Sequence, residues 1–291
     1  MINVDNAIIL AAGTSSRFAP LSYEKPKSLF PVKGEVLIER QIKQLLEAGI
    51  NEIIIVVGYM KEQFEYLKSK YNVILVENKE YLERNNNSSI YVVRKYLKNS
   101  YICSSDNYFK KNPFEKTVES PYYSAVYSNG YTDEWCISTD EDGFINNVVI
   151  GGSNSWYMLG HTFWDAAFSS RFISILESIY NNQECKNKLW EHIYIDNINS
   201  LKMKMRKYPN DYIFEFDTLD DLRNFDSSYI DNTKSYILKS ISKELKCRES
   251  DINSIKSFSD GNTSAAGFFF CSQNKIYKYT YKNKLLEEVS L

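Results

Sequence analysis

Histidine is nearly missing: His161 and His192 are the two in 291 residues. A zinc centre built on imidazoles is therefore not expected, since zinc sites draw on three or four His, Cys or carboxylate ligands. Cysteine is sparse and scattered. Cys103, Cys136, Cys185, Cys247 and Cys271 form no CxxC pair, so neither a metal clip nor a disulfide framework is expected. Glycine and proline number 11 and 6, too few for a collagenous or low-complexity chain. No apolar run approaches the ~20 residues of a membrane-spanning helix, and the opening MINVDNAIILAAG lacks a signal-peptide pattern. The expectation is a cytoplasmic protein with no membrane insertion. Charge of one sign is missing too: 35 basic against 37 acidic side chains leave a formal net charge of −2, which argues against a nucleic-acid partner. A small anionic substrate stays open, because a few local cations can bind phosphate in a neutral chain.

What is present suits a buried core. Hydrophobic residues make up 43% of the chain, and the length fits one large domain with a small appendage. Ala7–Leu10 reads as a buried strand, Val36–Ala48 as a helix stopping at Gly49, and Ile53–Val57 as a β-branched strand. Lys61–Lys70 is helical in pattern and Val73–Val76 is strand-like. This alternation predicts an α/β fold: three layers, doubly wound, around a mostly parallel sheet. Further on, Tyr122–Tyr127, Glu134–Ser138 and Phe144–Ile150 read as short strands of a lid-like meander. Phe168–Tyr180, Leu189–Ile198 and Leu219–Phe225 read as helices, with strands at Lys202–Lys207 and Tyr212–Phe216. A polar link at Ser227–Thr233 separates a domain over residues 1–228 from a small α+β module over 233–291.

The most informative stretch is Leu10-Ala11-Ala12-Gly13-Thr14-Ser15-Ser16-Arg17-Phe18, followed by Pro20-Leu21 and Lys25-Pro26-Lys27-Ser28-Leu29. Small residues directly after a strand let backbone N–H groups approach a triphosphate closely. Arg17 adds a planar, forked cation and Lys27 a point charge. The alternative is a tight turn flanked by two solvated cations. The pattern is neither GxGxxG nor a Walker loop.

L-A-A-G-x-x-S-R-F-x-P-L followed by K-P-K-x-L resembles the signature of nucleotidyltransferases that activate sugar phosphates and phospho-alcohols. Asn78, Tyr81, Asn86 and Ser89 resemble a segment of bacterial CTP:phosphocholine cytidylyltransferases. So do Ser105-Asp106-Asn107-Tyr108, Thr132-Asp133-Glu134-Trp135, Phe163-Trp164-Asp165 and Glu215-Phe216-Asp217-Thr218. The likeness runs over residues 5–226 and implies the three-layer α/β fold with CTP and a phospho-amino-alcohol as substrates. It implies Mg²⁺ held by Asp106 and Asp217; the ordinary alternatives are an Asp before a turn, or Asp217 as N-cap of Leu219–Phe225. If the strands preceding these aspartates both belong to the parallel sheet, both carboxylates lie at its ligand-binding edge. Lys27 is the candidate for steadying charge on the transferred α-phosphate, and Arg17 for holding pyrophosphate. Leu10, Ala11, Ala12, Gly13, Tyr81, Asn86, Ser89 and Asp106 are the candidate nucleotide ligands.

The acceptor is read from aromatic faces beside carboxylates, which suit a quaternary ammonium. Trp135, Glu134, Trp190 and Glu191 are the candidate acceptor ligands, whereas Trp164 reads as core. The family tends to have Tyr-Trp-Asp where this chain has Leu189-Trp190-Glu191. That departure leaves 2-aminoethylphosphonate or phosphoethanolamine as alternative acceptors, with a sugar 1-phosphate or a non-catalytic nucleotide-binding regulator behind them. In the last module, Ser259–Ser264 and the strands Gly267–Cys271 and Ile276–Tyr281 resemble the opening of a choline-kinase-type nucleotide lobe. No kinase activity is expected of it; the expectation is either a remnant of a lost fusion partner or a role in packing or a homodimer contact.

Overall fold

The computed structural model describes residues 1–260 and 265–289. They pack as two compact units, Met1–Gly13 with Ile38–Glu215, and Thr14–Leu37 with Phe216–Leu291.

The first unit is built on a seven-stranded sheet. Its order is Lys204–Lys207, Tyr122–Thr139, Ile145–Trp164, Ser100–Ser104, Asn6–Ala11, Glu52–Val57, Ile74–Glu77. Asn6–Ala11 pairs in parallel with both Glu52–Val57 and Ser100–Ser104. Its near-continuous burial is what a parallel strand covered on both faces requires. Helix Leu37–Glu47 makes the first crossover. Its Ile38, Ile42 and Leu45 are fully buried at helical spacing, and Gly49, with φ +78°, lies just beyond its end. The α/β fold read from the sequence is the fold observed.

Three local expectations are corrected. Lys61–Lys70 divides into a 3-10 turn, Lys61–Phe64, and a helix, Tyr66–Tyr71. Buried Phe64 and Leu67 are three apart, a spacing the tighter turn aligns. The three short pieces of the supposed lid belong to two long antiparallel strands of the sheet itself. Register shifts at Ser128/Tyr131 and Thr132/Trp135 reset the alternation without ending the pairing, so one strand looks like several. Ile213–Phe214 lies outside the seven-stranded sheet and pairs antiparallel with Tyr108–Phe109. Pro209, which has no N–H to continue the Lys204–Lys207 ladder, takes the chain away first.

The core of this unit is aromatic. Trp164 is fully buried, its ring 4.5 Å from Phe172 and 5.1 Å from Trp190. The second unit holds the 3-10 turns Ser16–Phe18 and Lys27–Leu29, short helix Leu21–Glu24 and helix Leu219–Phe225. Thr218, not Asp217, caps that last helix, exchanging hydrogen bonds with Asp221. Helix Tyr236–Glu244 follows, then a four-stranded antiparallel sheet of Asn253–Phe258, Gly267–Ser272, Lys275–Thr280 and Leu285–Val289. Of these strands only the middle two were legible in the pattern. The Gly261–Ser264 portion of the kinase-like turn lies outside the described residues. No helix among the described residues is long and apolar enough to cross a membrane, and all five cysteines are unpaired.

Truncating the aromatic centre removes fully buried contacts that the surroundings cannot refill. Trp164→Ala should cost about 3–5 kcal/mol in urea unfolding, whereas Leu82→Ala, at a residue 65% exposed, should leave the midpoint nearly unchanged.

Candidate active site

The first unit supplies a strand edge and a cavity. The Asn6–Ala11 strand delivers Leu10, Ala11 and Ala12 to the C-terminal edge of the sheet, with Ala11 and Ala12 buried and Gly13 exposed. A Cβ on Gly13 would meet nothing within 4 Å, so space lies open above this backbone. Beside it, Ser105 N donates to Leu10 O at 3.2 Å, which sets Asp106 next to the end of the same strand. The Asp106 loop is held from below by Gln41, whose Nε2 donates to Ser104 O and Asn107 O, both at 2.8 Å. Tyr81 closes the other side. A Cβ at Gly58 would lie 2.8 Å from the Tyr81 ring and 2.9 Å from Ala12 O. Only glycine lets that ring lie flat on the backbone beside the loop.

Asn86 and Ser89 face elsewhere. Asn86 Oδ1 accepts from Trp190 N at 2.7 Å and its Nδ2 donates to Glu191 Oε2 at 3.1 Å. Ser89 Oγ accepts from Asn78 Nδ2 at 3.1 Å. Both tie the Asn87–Val93 helix to its surroundings, and Asn86 ties it to the acceptor side of the unit.

A cavity of about 220 Å³ lies in this unit. Glu134, Trp135, Tyr123, Leu189, Glu191 and Glu215 line it, with Ser104 and Asn107 at the Asp106 end and, among the described residues, no Lys, Arg or His in its wall. Burial pushes the Glu191 carboxyl up to about 7, against the lowering pull of the Asn86 hydrogen bond. Burial likewise raises Tyr123 well above a normal phenol, with Glu191 and Glu215 adding to the rise. Trp190 does not line the cavity. It is 2% exposed and stacked 5.8 Å from Tyr123, so it backs the wall rather than faces a ligand. Trp164 is core. Glu215 and Tyr123 join the wall through the fold alone; nothing in the local sequence pattern marks either as a ligand.

The second unit supplies the cations. Lys27 is a nearly buried lysine, its side chain 4% exposed, with Nζ 3.8 Å from Asp217 Oδ1 and 5.8 Å from the Phe18 ring centroid. Arg17 Nη1 reaches Asp217 Oδ2 at 2.8 Å while its side chain stays 73% exposed. One carboxylate thus joins both cations, leaving an outward arginine free to meet an anion. Among the described residues no three His, Cys, Asp or Glu side chains are grouped as a metal cage. Asp106 lies in the first unit and Asp217 in the second, and each offers hard carboxylate oxygens of the kind a divalent ion takes beside phosphate and water.

The first unit thus carries a parallel sheet with a small-residue loop at its edge, and the second a lysine and an arginine on one aspartate, groups that suit phosphate chemistry. Comparison agrees. The sequence profile of the nucleotidyl transferase family matches residues 6–147. The choline-phosphate cytidylyltransferase of Streptococcus pneumoniae is 38% identical over 220 residues, 76% of this chain and 96% of that protein. The 2-aminoethylphosphonate cytidylyltransferase of Lancefieldella rimae is 35% identical over 81% of this chain and 95% of its own length. A solved structure of the Streptococcus pneumoniae CTP:phosphocholine cytidylyltransferase superposes with TM-score 0.74 at 38% identity, covering 78% of this chain and 99% of that one. The chain belongs to the nucleotidyl transferase family and is a nucleotidyltransferase, of a family that works with a divalent metal.

Gly58→Ala should push the Tyr81 ring off the loop and weaken nucleoside triphosphate binding about tenfold, read by calorimetry, because the clash involves backbone as well as ring. Glu191 should make cation binding pH-dependent. Its carboxyl, near 7, is mostly neutral at pH 6 and mostly ionised at pH 8. Binding of choline, a cation that does not titrate, should tighten about tenfold over that range. Glu191→Gln should flatten the profile; an unchanged slope would assign it to another group.

Proposed function

We propose that this chain transfers the cytidylyl group of CTP to phosphocholine, giving CDP-choline and pyrophosphate. The observation that carries the acceptor is a cavity where Trp135 and Tyr123 stand beside Glu134, Glu191 and Glu215, with no basic side chain among its described lining residues. A trimethylammonium has no N–H to donate. It gains from π faces and diffuse negative charge, and this wall offers both.

An oxygen of the phosphocholine phosphate attacks the α-phosphorus of CTP. A new P–O bond forms as the α–β bridging bond breaks, and the electron pair leaves on pyrophosphate. The attacking oxygen is already anionic, so no general base is needed and the rate rests on positioning and charge. Lys27 stabilises charge on the transferred α-phosphate and Arg17 holds the departing pyrophosphate. The backbone of Leu10–Gly13 faces the phosphates, with Tyr81 beside the base. Asp106 and Asp217 would hold Mg²⁺, which would neutralise the repulsion between the two anions. Ser89 supports the base side from within the fold, whereas Asn86 holds Glu191 at the acceptor cavity. Residues 1–228 form the transfer domain and 233–291 a module added to it. A CTP-consuming reaction belongs in the cytoplasm, where we place the chain.

A smaller amine is the second reading. It is favoured by Glu191, a directed acceptor that the Asn86 hydrogen bond at 3.1 Å holds in a fixed place, and by the 2-aminoethylphosphonate relative.

Pyrophosphate release measured with CTP and Mg²⁺ tests both. Phosphocholine should give the highest kcat/KM, and Lys27→Ala should lower kcat by about 100- to 1000-fold. A higher kcat/KM with 2-aminoethylphosphonate would move the assignment to the second reading. Full activity in Lys27→Ala would remove the role given to Lys27.

A further inference from the structure

Lys27 and Arg17 flank a short helix, Leu21–Glu24, and that helix is latched to the added module at two points. The Glu24 carboxylate accepts hydrogen bonds from Ser235 Oγ at 2.5 Å, Tyr236 N at 2.9 Å and Ile237 N at 3.0 Å. It therefore caps helix Tyr236–Glu244, whose first N–H groups need acceptors, and adds negative charge at the positive end of its dipole. Next to it, the Tyr23 ring stacks on Tyr281 with centroids 3.8 Å apart and planes within 4°. A third latch acts on the segment after Asp217. Arg223, on helix Leu219–Phe225, donates to Glu249 O and Ile252 O, both at 2.7 Å.

All three latches join residues beyond 233 to the short segments that carry Arg17, Lys27 and Asp217. Neither Glu24 nor Tyr23 has a task inside its own four-residue helix that would call for a carboxylate or a second aromatic ring. Tyr23 is 43% exposed, a costly setting for an ordered stack unless its partner is fixed, and Tyr281 is 7% exposed. The module is itself rigidly founded: Leu238, Ile241 and Phe268 are fully buried beneath it.

We propose that residues 233–291 are a brace that presets the triphosphate-binding conformation of the Thr14–Leu29 segment, with Glu24 and Tyr23 as its positioning residues. The inference rests on the reading that Arg17 and Lys27 bind the triphosphate. It gives the added module a part in CTP affinity, with no chemistry of its own. Loosening the brace frees the loop and raises the conformational cost of binding CTP. The acceptor cavity is lined by none of the latched residues, so acceptor affinity is spared.

The test uses the full chain carrying Glu24→Ala, Tyr23→Ala or Tyr23→Phe. Amide exchange over residues 14–29 should quicken about tenfold in the two alanine variants and stay unchanged in the Glu52–Val57 strand. The KM for CTP should rise about tenfold in both, with the KM for phosphocholine within about twofold of wild type. Tyr23→Phe, which keeps the stacked ring, should match wild type in every readout. Unchanged exchange over 14–29 overturns the brace, whatever the activity. Faster exchange with an unaltered KM for CTP, or with both KM values rising together, overturns the positioning role. A wild-type chain that releases no pyrophosphate from CTP overturns the proposed reaction instead, and the exchange measurement then decides the brace alone.

Discussion

Lys27 sets the terms for its unit. An ammonium whose side chain is 4% exposed has lost most of its water, and an uncompensated charge in that setting costs several kcal/mol. Asp217, 3.8 Å away, supplies the compensation and at the same time fixes Arg17 at 2.8 Å. One carboxylate thus gathers a buried lysine and an arginine that is 73% exposed into a single cluster of this unit.

The cavity of the first unit has an acidic wall. Glu134, Glu191 and Glu215 line it, with no cation among the described lining residues, and burial raises the Glu191 carboxyl to about 7. Proton uptake is one relief for a buried carboxylate such as Glu191, and a nearby cation is another. Phosphate at the far end of a cationic acceptor would meet the Ser104–Asn107 loop, which Gln41 holds by two backbone carbonyls.

Much of this was legible in the sequence where chemistry and local structure coincide. The Leu10–Arg17 loop and Lys25–Leu29 carry small residues and cations in an order that few other tasks demand, and the Ala7–Leu10 run within the Asn6–Ala11 strand behind them reads as continuously apolar. Legibility failed where a tertiary contact overrides a local pattern. Trp190 reads as a ligand because it sits beside Glu191, yet helix geometry turns it into the core against Trp164. Asn86 reads as a base contact, but its side chain satisfies the N-terminus of the Trp190–Asp196 helix. The bulged strands looked like three because bulges break a period of two, and Ile213–Phe214 looked like a sheet strand because two residues cannot announce their partner.

The choice between a quaternary and a primary ammonium turns on Leu189 and Glu191 together. A primary ammonium needs directed acceptors, and Glu191, held by Asn86 at 3.1 Å, presents one in a fixed place. A trimethylammonium needs surface without donors: π faces from Trp135 and Tyr123, and aliphatic contact from Leu189 and Met158. Replacing an aromatic by Leu189 removes a π face but leaves methyl-lined wall, which strands the N–H groups of a primary amine more than it penalises methyl groups. The glutamates then act at a distance on diffuse charge rather than as hydrogen-bond partners. Trp135 is held against His192 at 4.8 Å, which fixes its position at the wall. Of the two amines the wall therefore matches the methylated one better, for reasons of desolvation rather than of net charge.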